Sequence, residues 1–179
     1  MDEKLLPANL TIMYAYPEAF ANPQAPTAAE LNAQFDFAPT ASQANMVFNL
    51  SCAVLDSYTL NETDPDTDDT RTICDEGEVS NPTFRNFEAR IDTLRDASVT
   101  DAGLFNMAAE LTRAPDRPGI WIKRDGFKAD TPFAIGQEVS LFPTLTDYPQ
   151  DVVDAGTLLS HGARLIPDGA PVINYRLVA

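Results

Sequence analysis

The chain has few of the residues on which most enzyme chemistry rests. His161 is its only histidine, so any histidine-based triad would have to use that one residue. It lies inside a predicted strand, where a partly buried structural histidine is the favoured reading. Cys52 and Cys74 are the only cysteines, and with His161 they lack the C-x₂₋₄-C spacing of a zinc site. They read as two reduced structural thiols, although a bridge would close the segment between them into a loop. The eight glycines contain no phosphate-binding loop and no dinucleotide fingerprint. No stretch approaches the ~20 apolar residues of a membrane span. Met1 to Pro7 shows no basic segment followed by an apolar core, so no signal peptide is expected and the chain reads as one folded in a cytoplasm. Basic residues are scarce as well: 12 Lys+Arg stand against 27 Asp+Glu, a net charge of −15. Binding to a phosphate backbone is driven by Lys and Arg displacing counterions. Such a surface either avoids nucleic acid or lets it pass without sticking.

What the chain has in excess is acid, and the acid is concentrated. Between Asp56 and Glu78 stand Asp56, Glu62, Asp64, Asp66, Asp68, Asp69, Asp75, Glu76 and Glu78, with Arg71 as the single base, so this segment carries −8 of the −15. Pro65 and the alternating Asp and Thr fit neither a core strand nor a helix, and a loop is expected. Asp64, Asp66 and Asp68 fall at positions 1, 3 and 5 of an EF-hand loop and Asp75 at position 12. Against calcium binding, position 6 is Asp69 where the turn wants glycine, position 12 is the shorter acid, and no flanking helices are predicted. A solvated acidic loop is the default. Asp68 and Asp69 as a hydrolytic carboxylate pair fare worse, because adjacent acids in a hydrated loop are not held across a substrate. No metal or cofactor is expected.

At 179 residues with 44% apolar content, one domain with a real core is expected. Pro17, Pro23, Pro26 and Pro39 argue against continuous structure in residues 1–45, which read as an extended arm. One short helix is expected there, with Thr27 as cap and Glu30 completing a capping box. Residues 46–179 read as the β domain. Phe48, Leu50, Cys52 and Val54 alternate as in a half-buried strand, and Thr72–Cys74 suits another. The stretch 84–95 fits helix or strand, with the strand favoured by its surroundings. A helix is expected over about 99–113, capped by Ser98 or Thr100, striped by Leu104, Met107, Ala108 and Leu111, and stopped by Pro115. Further strands follow over Ile120–Arg124 up to the Asp125-Gly126 turn, through Val139, Leu141 and Leu145, over Leu159–Ile166 up to Pro167-Asp168-Gly169, and through Ile173, Tyr175 and Leu177. The fold class is mainly β, an antiparallel sandwich or barrel-like domain with one flanking helix.

Several segments in this order resemble the major tail (tail tube) proteins of long-tailed, siphovirus-like bacteriophages, especially those of actinobacterial hosts. The likeness covers roughly residues 45–179. It is carried by Asp75-Glu76-Gly77-Glu78-Val79, Asn86-Phe87-Glu88-Ala89-Arg90 and Leu94-Arg95-Asp96. Gly119-Ile120-Trp121-Ile122-Lys123-Arg124 and Pro132-Phe133-Ala134-Ile135-Gly136-Gln137-Glu138-Val139 extend it. Phe142-Pro143 and Tyr148-Pro149-Gln150-Asp151 complete it.

The resemblance implies a structural virion protein without enzymatic activity, assembled in the host cytoplasm. It implies hexameric rings stacked into a tube on a tape-measure protein, with tail terminator and baseplate proteins as further partners. DNA would pass through the lumen at infection without specific binding, and no membrane is involved. Glu62, Asp64, Asp66, Asp68 and Asp69 become candidates for an inter-ring or lumen-facing acidic loop, beside the reading of a plain hydrated loop. Arg85, Arg90 and Arg95, alternating with acids, are candidates to pair with a neighbour's loop or simply to balance surface charge. The alternatives from other classes are a β-sandwich receptor-binding or adhesion module and a capsid-associated decoration protein.

Overall fold

Short alternating runs become eleven strands in the computed structural model, which describes residues 9–33, 46–68, 81–96, 98, 103–152 and 160–179. In chain order they are β1 (Leu10–Ala15), β2 (Val47–Asn49), β3 (Thr59–Glu62), β4 (Asp66–Asp68), β5 (Asn81–Phe84), β6 (Phe87–Leu94), β7 (Pro118–Asp125), β8 (Glu138–Thr146), β9 (Gln150–Val152), β10 (Ser160–Pro167) and β11 (Val172–Arg176). The helices are α1 (Ala28–Ala33) and α2 (Leu104–Arg113), with a 3₁₀ turn at Pro17–Ala19. Nine strands form one sheet in the order β2-β1-β7-β8-β10-β6-β3, with β11 paired to β8 and β9 to β10, while β4 and β5 form a separate pair. Every strand pairing is antiparallel. The mainly β class with one main helix is the one the sequence indicates.

The chain between β2 and β3 links the two edges of the sheet. Leu50 N–H donates to Ile12 O on β1 (3.0 Å), whereas Leu55 N–H donates to Asp92 O (2.7 Å) and Leu94 N–H to Ala53 O (3.2 Å) on β6. The sheet is thereby curled into a barrel-like form. Alternation then sends side chains to two cores. Ile12, Tyr14, Trp121, Phe142, Phe87, Ile91 and Leu165 point inward and meet Ala108 and Leu111 of α2. Met13, Ala15, Ile120, Ile122, Val139 and Leu141 point outward and are covered by Phe20, Ala28, Leu31, Phe133 and Leu177. Strands β1, β7 and the first half of β8 are therefore buried on both faces.

Several elements differ from expectation. Leu10–Ala15, placed by the sequence within an extended arm, is strand β1, next to the sheet edge and buried from Thr11 to Ala15. Residues 1–8 and 34–45 lie outside the described residues. β2 stops at Asn49 instead of running to Val54. The Asn49 Oδ1 accepts Ser51 N–H (3.1 Å) and the Ser51 hydroxyl (2.6 Å), which turns the chain and leaves Cys52 exposed as a free thiol. Thr72–Cys74 lies outside the described residues. The ambiguous stretch is a strand, β6, preceded by β5.

Helix α2 begins at Leu104 with Gly103 as cap and no side-chain capping bond; residues 99–102 are not among those described. Its C-cap Ala114 is extended, at ψ 131°, as the following Pro115 requires. In β8, Leu145 is only half-buried, whereas Thr144 and Thr146 are buried. The Thr146 hydroxyl accepts Arg117 N–H and donates to Ala114 O, which ties the end of α2 to the sheet.

Two polar devices hold the covering segments. The capping box of α1 closes reciprocally: Glu30 N–H donates to Thr27 Oγ1 (3.1 Å) and Thr27 N–H to Glu30 Oε2 (2.8 Å). Glu30 Oε1 also accepts Ala21 N–H (2.9 Å). The Arg124 guanidinium is fully buried. It donates to Thr11 Oγ1 (3.0 Å), Gln137 Oε1 (3.1 Å) and the carbonyls of Lys128 (3.2 Å), Thr131 (2.7 Å) and Pro132 (3.3 Å). The Phe133 ring lies 4.0 Å from the guanidinium carbon. Burial lowers its pKa to about 10, so it stays cationic at neutral pH. One side chain thus organises the whole connection from β7 to β8.

Two outcomes are expected. A Cβ at Gly119 would overlap the Tyr14 ring and come within 2.6 Å of its Oη. Gly119→Ala should lower unfolding free energy in urea by about 1–3 kcal/mol. The backbone donors of Ala21 and Thr27 hold the Glu30 carboxyl below its ordinary pKa of 4.5. Stability from this group is present above the unfolded pKa and is lost as pH falls through the lower folded one. The wild-type melting temperature should fall more steeply below about pH 4.5 than that of Glu30→Ala.

Candidate functional site

The acid-rich segment continues the sheet as a ribbon. In the β3–β6 ladder Thr59 faces Arg90 and Glu62 faces Phe87, and the register carries on with Thr67 opposite Pro82 and Asp68 opposite Asn81 in β4–β5. Thr63 N–H donating to Asn86 O (3.0 Å) joins the two ladders. Pro65 sits in the break between β3 and β4, where its missing N–H costs no ladder bond. The expected acidic loop is therefore corrected over Asp66–Asp68: these residues form a strand in a two-stranded arm. A polar sequence pairs here because it extends a ladder already begun.

The candidate residues are spread along this arm. Glu62 ends β3 and is exposed, Asp64 is exposed in the connection, and Asp66 is exposed at the start of β4. Asp68 closes β4, and Asp69 lies outside the described residues. The extended backbone of Asp66–Asp68 differs from the tightly turned loop that brings the oxygens of an EF-hand together. Among the described residues, no group of three His, Cys, Asp or Glu is placed to hold a metal ion. Among the described residues no helix is long and apolar enough to cross a membrane. His161 is buried in β10 opposite Thr93.

Beside the base of the arm, the outer face of β6 and β10 is open. A groove of about 590 Å³ runs there past Thr63, Glu88, Arg90, Tyr148, Gly162 and Arg164. Gly162 lies at its floor, where a Cβ would come within 2.7 Å of Asp92 Oδ1. The Asp92 carboxylate lies across that glycine, accepting Ser57 Oγ–H (2.8 Å) and Arg90 Nε–H (3.0 Å). Arg90 is drawn along the floor by this bond. Arg164 stands directly opposite it on β10. The sequence singled out Arg90 but not Arg164, because the partner of a cross-strand pair lies far away along the chain. Arg85 is exposed at the turn into β6, and Arg95 is half-buried beyond its end.

The described residues thus form a curled antiparallel sheet with a flanking helix and an acidic two-stranded ribbon. The family model described as phage tail tube protein matches residues 3–179. The chain belongs to this family. It matches no curated protein sequence. As a phage tail tube protein it is a structural component of the virion, built to assemble with other tail proteins into a tube. The match takes in residues 3–45 as well, which lie before the stretch that carries the sequence likeness.

If the ribbon serves assembly and not folding, its exposed acids are dispensable to the monomer. The triple variant Glu62→Gln, Asp64→Asn, Asp66→Asn should unfold in urea within about 0.5 kcal/mol of wild type.

Proposed function

We propose that this tail tube protein is the repeating subunit of a siphovirus-type tail, in a phage of an actinobacterial host, with no enzymatic activity. Six copies close into a ring, and rings stack on a tape-measure protein between the terminator and the baseplate. Subunits assemble in the host cytoplasm, and the lumen conducts DNA at infection. The observation that carries this reading is the match to the tail tube family along almost the whole chain. It favours the tube over the receptor-binding and decoration readings.

The physical features agree with it. Strand β3 ends the main sheet with its outer backbone edge unpaired among the described strands. A polymer manages such edges by pairing or covering them between copies. Head-to-tail contacts generate closed rings when the rotation closes and filaments when it does not, and a tube needs both. A net charge of −15 suits a wall past which a polyanion must move, because each attractive phosphate contact would add drag. In this reading the acidic ribbon, including Glu62, Asp64, Asp66, Asp68 and Asp69, faces the lumen or the next ring.

Immunogold electron microscopy of the parent particle tests the proposal. Label should repeat along the tail shaft; label confined to the head or the tail tip would refute it. The purified chain should also leave duplex DNA unshifted in a gel at low salt, and tight retention there would contradict the lumen argument.

A further inference from the structure

We infer that the turn between β10 and β11 is a site of spontaneous covalent modification, at which Asp168 closes onto the Gly169 nitrogen and reopens as isoaspartate. The inference needs only the fold and stands apart from the proposed ring and tube.

The reaction asks three things of an aspartate. The main-chain nitrogen of the next residue must reach its carboxyl carbon, that N–H must not be held by an acceptor, and no Cβ on the next residue should crowd the approach. Asp-Gly pairs meet the last condition, and the chain has two of them, Asp125-Gly126 and Asp168-Gly169.

The fold separates the two pairs. Asp125 ends β7 opposite Leu10 of β1, and Gly126 N–H donates to Asn9 O (2.8 Å). Ring closure there would break that bond and disturb the end of a ladder. Asp168 and Gly169 are both exposed, in the connection from Pro167 to Val172. Gly169 N–H has no acceptor among the described residues, and the Asp168 carboxylate forms no hydrogen bond or ion pair among them. Gly169 holds φ at +123°, a conformation that glycine enters at little cost.

Other exposed aspartates are guarded. After Asp116, Arg117 N–H donates to Thr146 Oγ1 (3.0 Å), and after Asp130, Thr131 N–H donates to Lys128 O (3.0 Å). Asp64 precedes Pro65, which has no N–H to lose. Ser57, after Asp56, brings a Cβ.

The chemistry balances with water alone. The Gly169 nitrogen bonds to Asp168 Cγ, the Cγ–O bond breaks, and the oxygen leaves as water with the amide proton and one from solvent. Water then opens the cyclic imide. Cleavage of the Cγ–N bond returns aspartate; cleavage between the Asp168 main-chain carbonyl carbon and the nitrogen leaves isoaspartate, with the chain running through Cβ and Cγ. The added backbone atom falls in a connection anchored on both sides. Asp168 N–H donates to Pro143 O (2.9 Å), Pro167 faces Thr144, and Val172 faces Leu141, so β10 and β11 hang on the same edge of β8. The ladders therefore survive the change, and it accumulates as a tail ages.

Ageing the purified full chain at physiological temperature and near-neutral pH tests this. Isoaspartate is read as methyl groups accepted from S-adenosylmethionine with an isoaspartyl methyltransferase, and is located by electron-transfer fragmentation of peptides. Asp168 should exceed Asp125 by about fivefold or more, the factor that one net hydrogen bond represents. Asp168→Glu, whose larger ring closes slowly, should remove most of the methyl acceptance while circular dichroism matches wild type. In concentrated urea the two Asp-Gly pairs should react at similar rates, because the fold no longer distinguishes them. Equal isoaspartate at Asp125 and Asp168 in the folded chain overturns the inference, as does methyl acceptance unchanged by Asp168→Glu. A preference for Asp168 that persists in urea assigns the selectivity to neighbouring sequence and also overturns it.

Discussion

The register of Tyr14, Trp121 and Phe142 is the constraint on which the rest of this structure depends. The three residues stand in one row across β1, β7 and β8, with the Tyr14 and Trp121 rings edge to face at 5.3 Å. Phe142 meets Phe87 of β6 at 5.4 Å, so the row reaches across the interior to the far side of the curl. Residues on either side of it in the sequence feed the second core instead. A slip of one residue in any of these strands would send Trp121 out and Ile120 or Ile122 in, and both cores would fail together. Gly119 shows how little slack there is, because the Tyr14 ring occupies the space a methyl group would need. Burial also pushes the Tyr14 phenol well above its ordinary pKa, and its hydroxyl donates to Pro118 O (3.1 Å) in place of water. The centre of the sheet is over-determined, which leaves the edges and the ribbon as the parts free to serve other molecules.

That same double burial explains what the sequence made legible. β6 was readable as a strand because only one of its faces is covered, so Phe87, Ala89 and Ile91 alternate with Glu88 and Arg90. β1 was not, because Leu10-Thr11-Ile12-Met13-Tyr14-Ala15 is buried on both faces and shows no period of two. The nearby prolines then made a loop the better local reading. Helix α2 was legible from its stripe and from Pro115, and α1 from the spacing of Thr27 and Glu30. The end of β2 was hidden because apolar alternation continues past Asn49, and a side-chain turn, not a change of pattern, stops the strand.

The candidate site was legible as composition and not as geometry. Asp66-Thr67-Asp68 has no apolar face, so no periodicity marks it as a strand; it pairs because the β3–β6 ladder delivers it in register. Arg124 is a second case. An arginine at the end of a strand reads as a solvated terminus, yet three carbonyls of the following connection fold back around it. Such a cage is built from backbone atoms, which carry no sequence signature.

The placement of positive charge bears on how so acidic a chain associates with itself. Arg124 is internal, and Arg90, Lys123 and Arg176 lie against Asp92, Asp125 and Glu138 of the same copy. These cations do little to offset the repulsion between copies that a charge of −15 creates. At physiological salt that repulsion is screened beyond about 8 Å, so the balance between copies is decided by what touches. Exposed ion pairs contribute only about 0–1 kcal/mol each. A ring or tube multiplies each contact by the number of copies, so small local terms are enough once geometry lets them act together. Weak individual contacts also let a misplaced subunit leave. An acid excess therefore suits ordered polymerisation better than a sticky, evenly balanced surface would.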